Sequence, residues 1–186
     1  MPYLPIIAAA ICLLLVASVV WTTLRVGISP MPSSTRAIKA MIDLIPEDTS
    51  GPIIELGSGW GTLSLAIAKR RSDLKIIGYE LSPIPWAWSR LVARIKRGAT
   101  HLRRDFFTED LSAATVVLCY LYPGAMSRIS ESPDLFSPGC VIISNTFRVP
   151  GWEPDAVIEL GDLYSTQVYR YVVGQAHRQS TINQTG

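Results

Sequence analysis

The apolar run Pro52-Ile53-Ile54 passes directly into Glu55-Leu56-Gly57-Ser58-Gly59-Trp60-Gly61, and a second strand-like run, Lys75-Ile76-Ile77-Gly78-Tyr79, ends at Glu80. Few folds use such a pairing. Glycines at a strand-to-helix turn let the backbone approach a ligand with no Cβ in the way. An acidic side chain at the tip of the next parallel strand can accept both hydroxyl protons of a ribose. The segment therefore predicts an open α/β sheet with a nucleotide-type cofactor at its switch point.

The spacing narrows the cofactor. A dinucleotide fingerprint reads G-x-G-x-x-G and places a pyrophosphate at the open helix N-terminus. Here it is Gly57-x-Gly59-x-Gly61 with the carboxylate of Glu55 two positions before, which would repel a pyrophosphate and suits a cationic amino-acid end. A dinucleotide enzyme and a non-binding domain that keeps only the fold stay open as alternatives on these residues alone.

The chain has 186 residues, enough for one α/β domain and little else. No charged side chain occurs before Arg25, and from Leu4 to Trp21 the sequence is almost wholly apolar, about the length that crosses a bilayer core. No Lys or Arg precedes this run, and no small-residue cleavage site follows it, which argues against a removed signal peptide. Arg25, Arg36 and Lys39 lie on its C-terminal flank, so the positive-inside tendency predicts a single-pass anchor with the following domain in the cytosol. The expected organisation is an anchor over 1–25, a connector and leading helix over 26–50, a catalytic domain over 51–174 and a disordered polar tail over 175–186.

A net charge of +2 is too small to suggest a nucleic-acid partner. Cys12, Cys119 and Cys140 have no metal-ligand spacing, and neither His101 nor His177 sits among carboxylates or cysteines, so no metal is expected. The basic residues Arg90, Arg94, Lys96, Arg97, Arg103 and Arg104 read as a solvated helix face, as a surface for anionic lipid or as one that steers an acidic partner.

Along the chain, Ser33 or Ser34 can cap a helix carrying Ile38, Met41, Ile42 and Ile45 on one face, stopped by Pro46. Strands are expected at 52–56, 75–79, 99–104, 114–121 and 140–145, with helices after Gly61, from Ser82 and weakly over 125–129. Trp86, Leu91 and Ile95 are expected to face the sheet. Two further β-like runs, 156–160 and 166–173, predict an antiparallel pair at the sheet edge.

The E-x-G-x-G-x-G pattern with its spaced acid resembles motif I of the class I S-adenosylmethionine-dependent methyltransferases. Pro32-Ser33, Gly78-Tyr79-Glu80-Leu81-Ser82-Pro83, Trp88-Ser89-Arg90 and Pro150-x-Trp152-x-Pro154 add a closer resemblance. They are similar to the small membrane-anchored lysine methyltransferases whose eukaryotic members modify the mitochondrial ATP synthase c subunit and the adenine nucleotide translocase. Trp60 departs from the acidic or small residue that many methyltransferases carry there.

That resemblance implies a Rossmann-like seven-stranded sheet, mostly parallel with a terminal antiparallel hairpin, and S-adenosylmethionine as cofactor. It implies cofactor contacts at Glu55, Gly57, Ser58, Gly59, Gly61, Glu80 and Asp105, with Asp105 toward the adenine amino group. Asp105 as a plain cap of the following turn, and Glu55 as a residue that only shapes the glycine turn, remain the alternatives. Tyr120 and Tyr122 fall where the superfamily places residues facing the acceptor, with Trp152 either closing that pocket or buried in packing. The implied acceptor is a lysine of a membrane protein. A lipid or small-molecule acceptor, or a non-catalytic assembly role, would share the cofactor residues.

Overall fold

The structure, a computed structural model, describes residues 3–9, 13, 33–96 and 98–175. The chain divides into a unit over Met1–Met31 and a unit over Pro32–Gly186. In the first, residues 4–9 are helical, and most of the expected anchor over 1–25 lies outside the described residues. No helix among the described residues is long and apolar enough to cross a membrane. The expected disordered tail, beyond residue 175, also lies outside them.

The second unit alternates strand and helix. Its helices are α1 (Thr35–Asp43), α2 (Thr62–Arg70), α3 (Pro83–Lys96) and α4 (Pro123–Glu131). Its strands are β1 (Ile53–Leu56), β2 (Ile76–Tyr79), β3 (Thr100–Leu102), β4 (Val116–Cys119), β5 (Val141–Asn145), β6 (Ala156–Glu159) and β7 (Gln167–Val172). They form one seven-stranded sheet in the order β3-β2-β1-β4-β5-β7-β6. β1 runs parallel to β2 and β4, pairing Ile53 with Ile76 and Val116, while β7 is antiparallel to both β5 and β6. The mixed sheet and the antiparallel terminal pair match the sequence expectation. The order reverses between β1 and β4, which opens a crevice at the carboxyl ends of those strands.

Alternation along each strand divides the core in two. Ile54, Leu56, Val117, Cys119, Ile142 and Tyr171 face one side and pack with Met126 and Ile129 of α4. Ile53, Val116, Leu118, Ile143 and Val168 face the other and pack with Met41 of α1 and Leu63 and Ile67 of α2. Ile67 is fully buried, and truncating such a side chain to alanine costs about 2–5 kcal/mol. Ser34 caps α1 through the N–H of Ala37, and α1 buries Ala37, Ala40 and Met41, with Ile38 and Ile42 at the margins. α1 is thus built into the compact unit that holds the sheet. Cys119 and Cys140 are buried thiols whose pKa values burial pushes up to about 12.

α3 lies in a different rotation from the one its large side chains suggest. Pro85, Ser89 and Ala93 are its buried residues, whereas Leu91 is 54% and Ile95 74% exposed, and Trp86 is half-buried with its indole N–H donating to the carbonyl of His101. The cause is close approach. A Cβ on Gly61 would stand 2.8 Å from Cβ of Ser89, so only a face of small residues can sit against the glycine turn. Trp152 is buried, packs edge-on against Tyr171 at 6.2 Å and so serves the core.

Candidate active site

The site is built by the segments that follow β1 to β5 at the carboxyl end of the sheet. β1 runs out at Leu56, and the chain turns through Gly57, Gly59 and Gly61, all with left-handed φ of 70°, 50° and 76°. A side chain on any of them would be strained. The N–H of Ser58 donates to the carbonyl of Tyr79 at 2.8 Å, fixing the turn to the end of β2, and the N–H of Gly61 returns to the carbonyl of Ser58 at 2.8 Å. Gly78 has no side chain because Ser58 occupies that space: its Cβ and Oγ would lie 2.7 and 2.8 Å from a Cβ on Gly78.

Glu80 sits at the tip of β2, 8% exposed. Its two carboxylate oxygens are held separately: Oε2 accepts the N–H of Gly59 at 2.8 Å, and Oε1 accepts the N–H of Ser82 at 2.7 Å. Each oxygen keeps a lone pair beyond that bond, so the group is aimed and still has two acceptor positions for a diol.

Glu55 points to the face that α2 covers, because it alternates with Ile54 and Leu56. Its Oε2 accepts the N–H of Ser64, in the first turn of α2, at 3.1 Å. Such an N–H has no intrahelical partner, and a carboxyl group there satisfies it. Burial dominates the electrostatics and pushes the Glu55 pKa up to about 8, against the lowering effect of the Ser64 hydrogen bonds. In the structure Glu55 therefore shapes the turn and the start of α2.

Ser64 also reaches His101, with 2.8 Å between Oγ and Nε2, and its Oγ lies 3.2 Å from the carbonyl of Gly61. Burial lowers the His101 pKa to about 4, so the ring is neutral near pH 7. With Nε2–H donating to Ser64 and the serine hydroxyl donating to Gly61, every proton of the cluster is used and only Nδ1 lacks a partner. Sequence patterns do not reveal this pair, and His101 stands out in them only as a histidine without metal-ligand company. The signal is spatial: β3 stands beside β2, and Gly61 and Gly78 leave the room that the imidazole fills, 2.9 and 2.7 Å from their absent Cβ atoms.

The three glycines divide by role. A Cβ on Gly59 would meet nothing within 4 Å, so this glycine faces the open crevice. One on Gly57 would touch Leu121 at 2.9 Å, and one on Gly61 would strike Ser89 and His101. Gly61, expected among the cofactor contacts, is required here by helix packing. Asp105 is half-buried and caps the short 3-10 turn Phe106–Thr108, Oδ1 accepting the N–H of Phe107 at 3.0 Å. The capping alternative is the arrangement seen, with Oδ2 left for a further donor.

Beyond β4, Tyr120 and Tyr122 are both half-buried. The ring of Tyr120 stacks on Phe147 at 6.2 Å and 17°, and Tyr122 closes over the space beside Gly124 at the start of α4. Leu121, between them, is buried toward the glycine turn. Phe147, which follows β5, is not among the expected site residues. It joins the tyrosines because β5 is the neighbour of β4.

The reversal of strand order, the left-handed glycine turn at that reversal and the fixed carboxylate on the next strand together define a class I S-adenosylmethionine-dependent methyltransferase. The residues fit that cofactor: Gly59 leaves the space a Cβ would fill, and Glu80 presents two unused acceptor positions at its rim. The ANTKMT methyltransferase domain matches residues 55–156, more than half the chain, and the chain belongs to that family.

Among its relatives, the protein-lysine N-methyltransferase of Saccharolobus islandicus (strain REY15A) is 26% identical over 151 residues, 78% of this chain and 93% of that protein. The adenine nucleotide translocase lysine N-methyltransferase of Mus musculus is 27% identical over 142 residues, 74% of this chain. The chain spans 61% of the length of that mouse enzyme. A solved RNA methyltransferase from Salinibacter ruber, in complex with S-adenosyl-L-homocysteine, superposes with a TM-score of 0.69 at 26% identity, covering 77% of this chain and 94% of that one.

Proposed function

We propose that this protein transfers methyl groups from S-adenosylmethionine to the side-chain nitrogen of a lysine in a membrane protein, at the cytosolic surface, held there by residues 1–25. The observation that carries the reading is the convergence, at one end of one sheet, of the aimed carboxylate of Glu80 with the aromatic group Tyr120, Tyr122 and Phe147. The first is suited to a cofactor ribose, and the second to the alkyl stem and cationic head of a lysine.

The cofactor supplies an electrophilic methyl group on a sulfonium. Gly57, Ser58 and Gly59 would present backbone to its amino-acid part, Glu80 would accept from the ribose diol, and Oδ2 of Asp105 from the adenine amino group. Glu55 would act on the ammonium from beneath the turn, and a cation there would draw its pKa back down. Methyl transfer is an in-line displacement, so alignment and a dry pocket carry most of the catalysis. The lysine must arrive as the free amine, which desolvation between aromatic rings favours. The membrane side of the reading rests on the uncharged apolar segment from Leu4 to Trp21, and the cytosolic side on Arg25, Arg36 and Lys39. Confinement to the bilayer raises the effective concentration of a membrane acceptor without further contacts.

The test is transfer of radiolabel from S-adenosylmethionine to membranes of cells lacking the protein. Label in a protein band that maps to a lysine is the expected result. Label in the lipid extract or in RNA would replace the lysine reading, and cofactor binding with no transfer to any fraction would turn it toward an assembly role.

A further inference from the structure

The loop joining β6 to β7 carries the two most exposed large apolar side chains among the described residues, Leu163 at 99% and Tyr164 at 89%. They are held out by a rigid frame. The carboxylate of Asp162 accepts the N–H groups of Tyr164 at 3.2 Å and Thr166 at 2.8 Å. The carbonyl of Asp162 accepts the N–H of Ser165, whose φ is 47°, and the N–H of Leu160 closes the loop onto the carbonyl of Thr166. Exposed apolar side chains on an ordered tip mark a contact surface.

The position of the tip identifies the contact. Because β7 is antiparallel to β5, Val168 pairs with Asn145, and the N–H of Thr146 donates to the carbonyl of Gln167 at 2.8 Å. The tip is therefore at the carboxyl end of the parallel strands, the end that holds Glu80, Tyr120 and Tyr122. The chain also joins the sheet unit there: Asn145 Nδ2 lies 3.5 Å from Oγ of Ser33, the first described residue after the apolar segment and its short connector. Ser33 thus lies at the same end of the sheet as the exposed leucine and tyrosine.

We propose that Leu163 and Tyr164 insert into the bilayer interface, as a second point of membrane contact that sets the mouth of the catalytic crevice against the lipid surface. This deepens the membrane-acceptor reading and rests on it for the orientation of the chain. A leucine reaching the acyl boundary and a tyrosine at headgroup level suit such a contact, since a tyrosine ring is apolar in body and polar at its tip. Two contacts at one end hold the crevice facing the bilayer, where a single tether would leave it free to turn.

The experiment places the full chain, one copy per disc, in phosphatidylcholine nanodiscs doped with a phosphatidylcholine whose acyl chain bears a photoactivated diazirine near the glycerol, and maps the adducts by mass spectrometry. Ile95 serves as internal reference: it is 74% exposed but lies near the end of α3, which leads back to the amino end of β3. Lipid adducts at Leu163 and Tyr164 are expected at about tenfold or more the yield at Ile95, because interfacial insertion reaches only about 5–10 Å into the headgroup boundary. No adduct at the tip would overturn the proposal, pointing to a protein partner, a second copy or the chain itself as occupant. Equal yields at the tip and Ile95 would overturn it too. The readout needs no methyl transfer, so a different acceptor would leave it unaffected.

Discussion

Glu80 Oε2 holds the N–H of Gly59 at 2.8 Å, so the glycine turn and the acidic tip of β2 form one unit before any ligand arrives. Glu80→Ala removes the diol acceptor and leaves the N–H groups of Gly59 and Ser82 without their partner. Hydrogen bonds to a charged group contribute about 1.5–3 kcal/mol each, so affinity for S-adenosylhomocysteine should fall by at least about tenfold. Titration calorimetry measures it, and wild-type affinity would remove Glu80 from the cofactor site.

Gly59→Ala and Gly61→Ala should separate binding from folding. The first meets open space and carries only the left-handed backbone cost of about 1–2 kcal/mol, while weakening cofactor affinity. The second adds collision with Ser89 and His101 and should lose a further ~1–3 kcal/mol in denaturant unfolding. Equal stabilities for the two variants would contradict the packing described for α3.

Glu55 and His101 give the cofactor-free protein a shaped pH dependence. Glu55 ionises near its ordinary 4.5 when unfolded and near 8 when folded; its contribution is complete below 4.5 and is lost as pH rises toward 8. His101 runs the other way, with a folded pKa near 4 against an ordinary 6.5, so its contribution is present above 6.5 and lost as pH falls toward 4. Between 4.5 and 6.5 the two slopes cancel; from 6.5 to 8 only the loss from Glu55 remains. In unfolding titrations Glu55→Gln should abolish that fall relative to wild type, and an unchanged difference across pH 6.5 to 8 would refute the buried neutral Glu55.

Phe147→Ala removes the ring on which Tyr120 stacks. Aromatic pairs contribute about 0.5–1.5 kcal/mol beyond area burial, so kcat/KM for the acceptor should fall by about 2- to 13-fold with S-adenosylhomocysteine affinity unchanged. Loss of cofactor affinity in this variant would place Phe147 on the other side of the crevice. Tyr122→Phe separates ring from hydroxyl, and unchanged turnover would assign Tyr122 to its ring alone.

Much of this architecture is written in local patterns. Apolar runs beside glycine or proline mark β1, β2, β4 and β5 to within a few residues, and the acid after β2 announces its own place at the tip of the strand next to the glycine turn. On α3 size is a poor guide to burial: Leu91 and Ile95 are larger than Ser89 and Ala93, yet the absent side chain of Gly61, in another element, decides which face fits. The Ser64–His101 bond joins α2 to β3 and no periodicity encodes it. Phe147 is hidden for the same reason, its partner Tyr120 following a neighbouring strand.

The reversal of β7 returns its connecting loop to the end of the sheet that carries the glycine turn, with β5 and β4 between them. Substitutions or insertions between Gly161 and Thr166 alter that end of the sheet with no change in the residues around Glu80. The fold thereby separates a turn whose shape is fixed by its bonds to the end of β2 from a connecting loop that can vary without disturbing it.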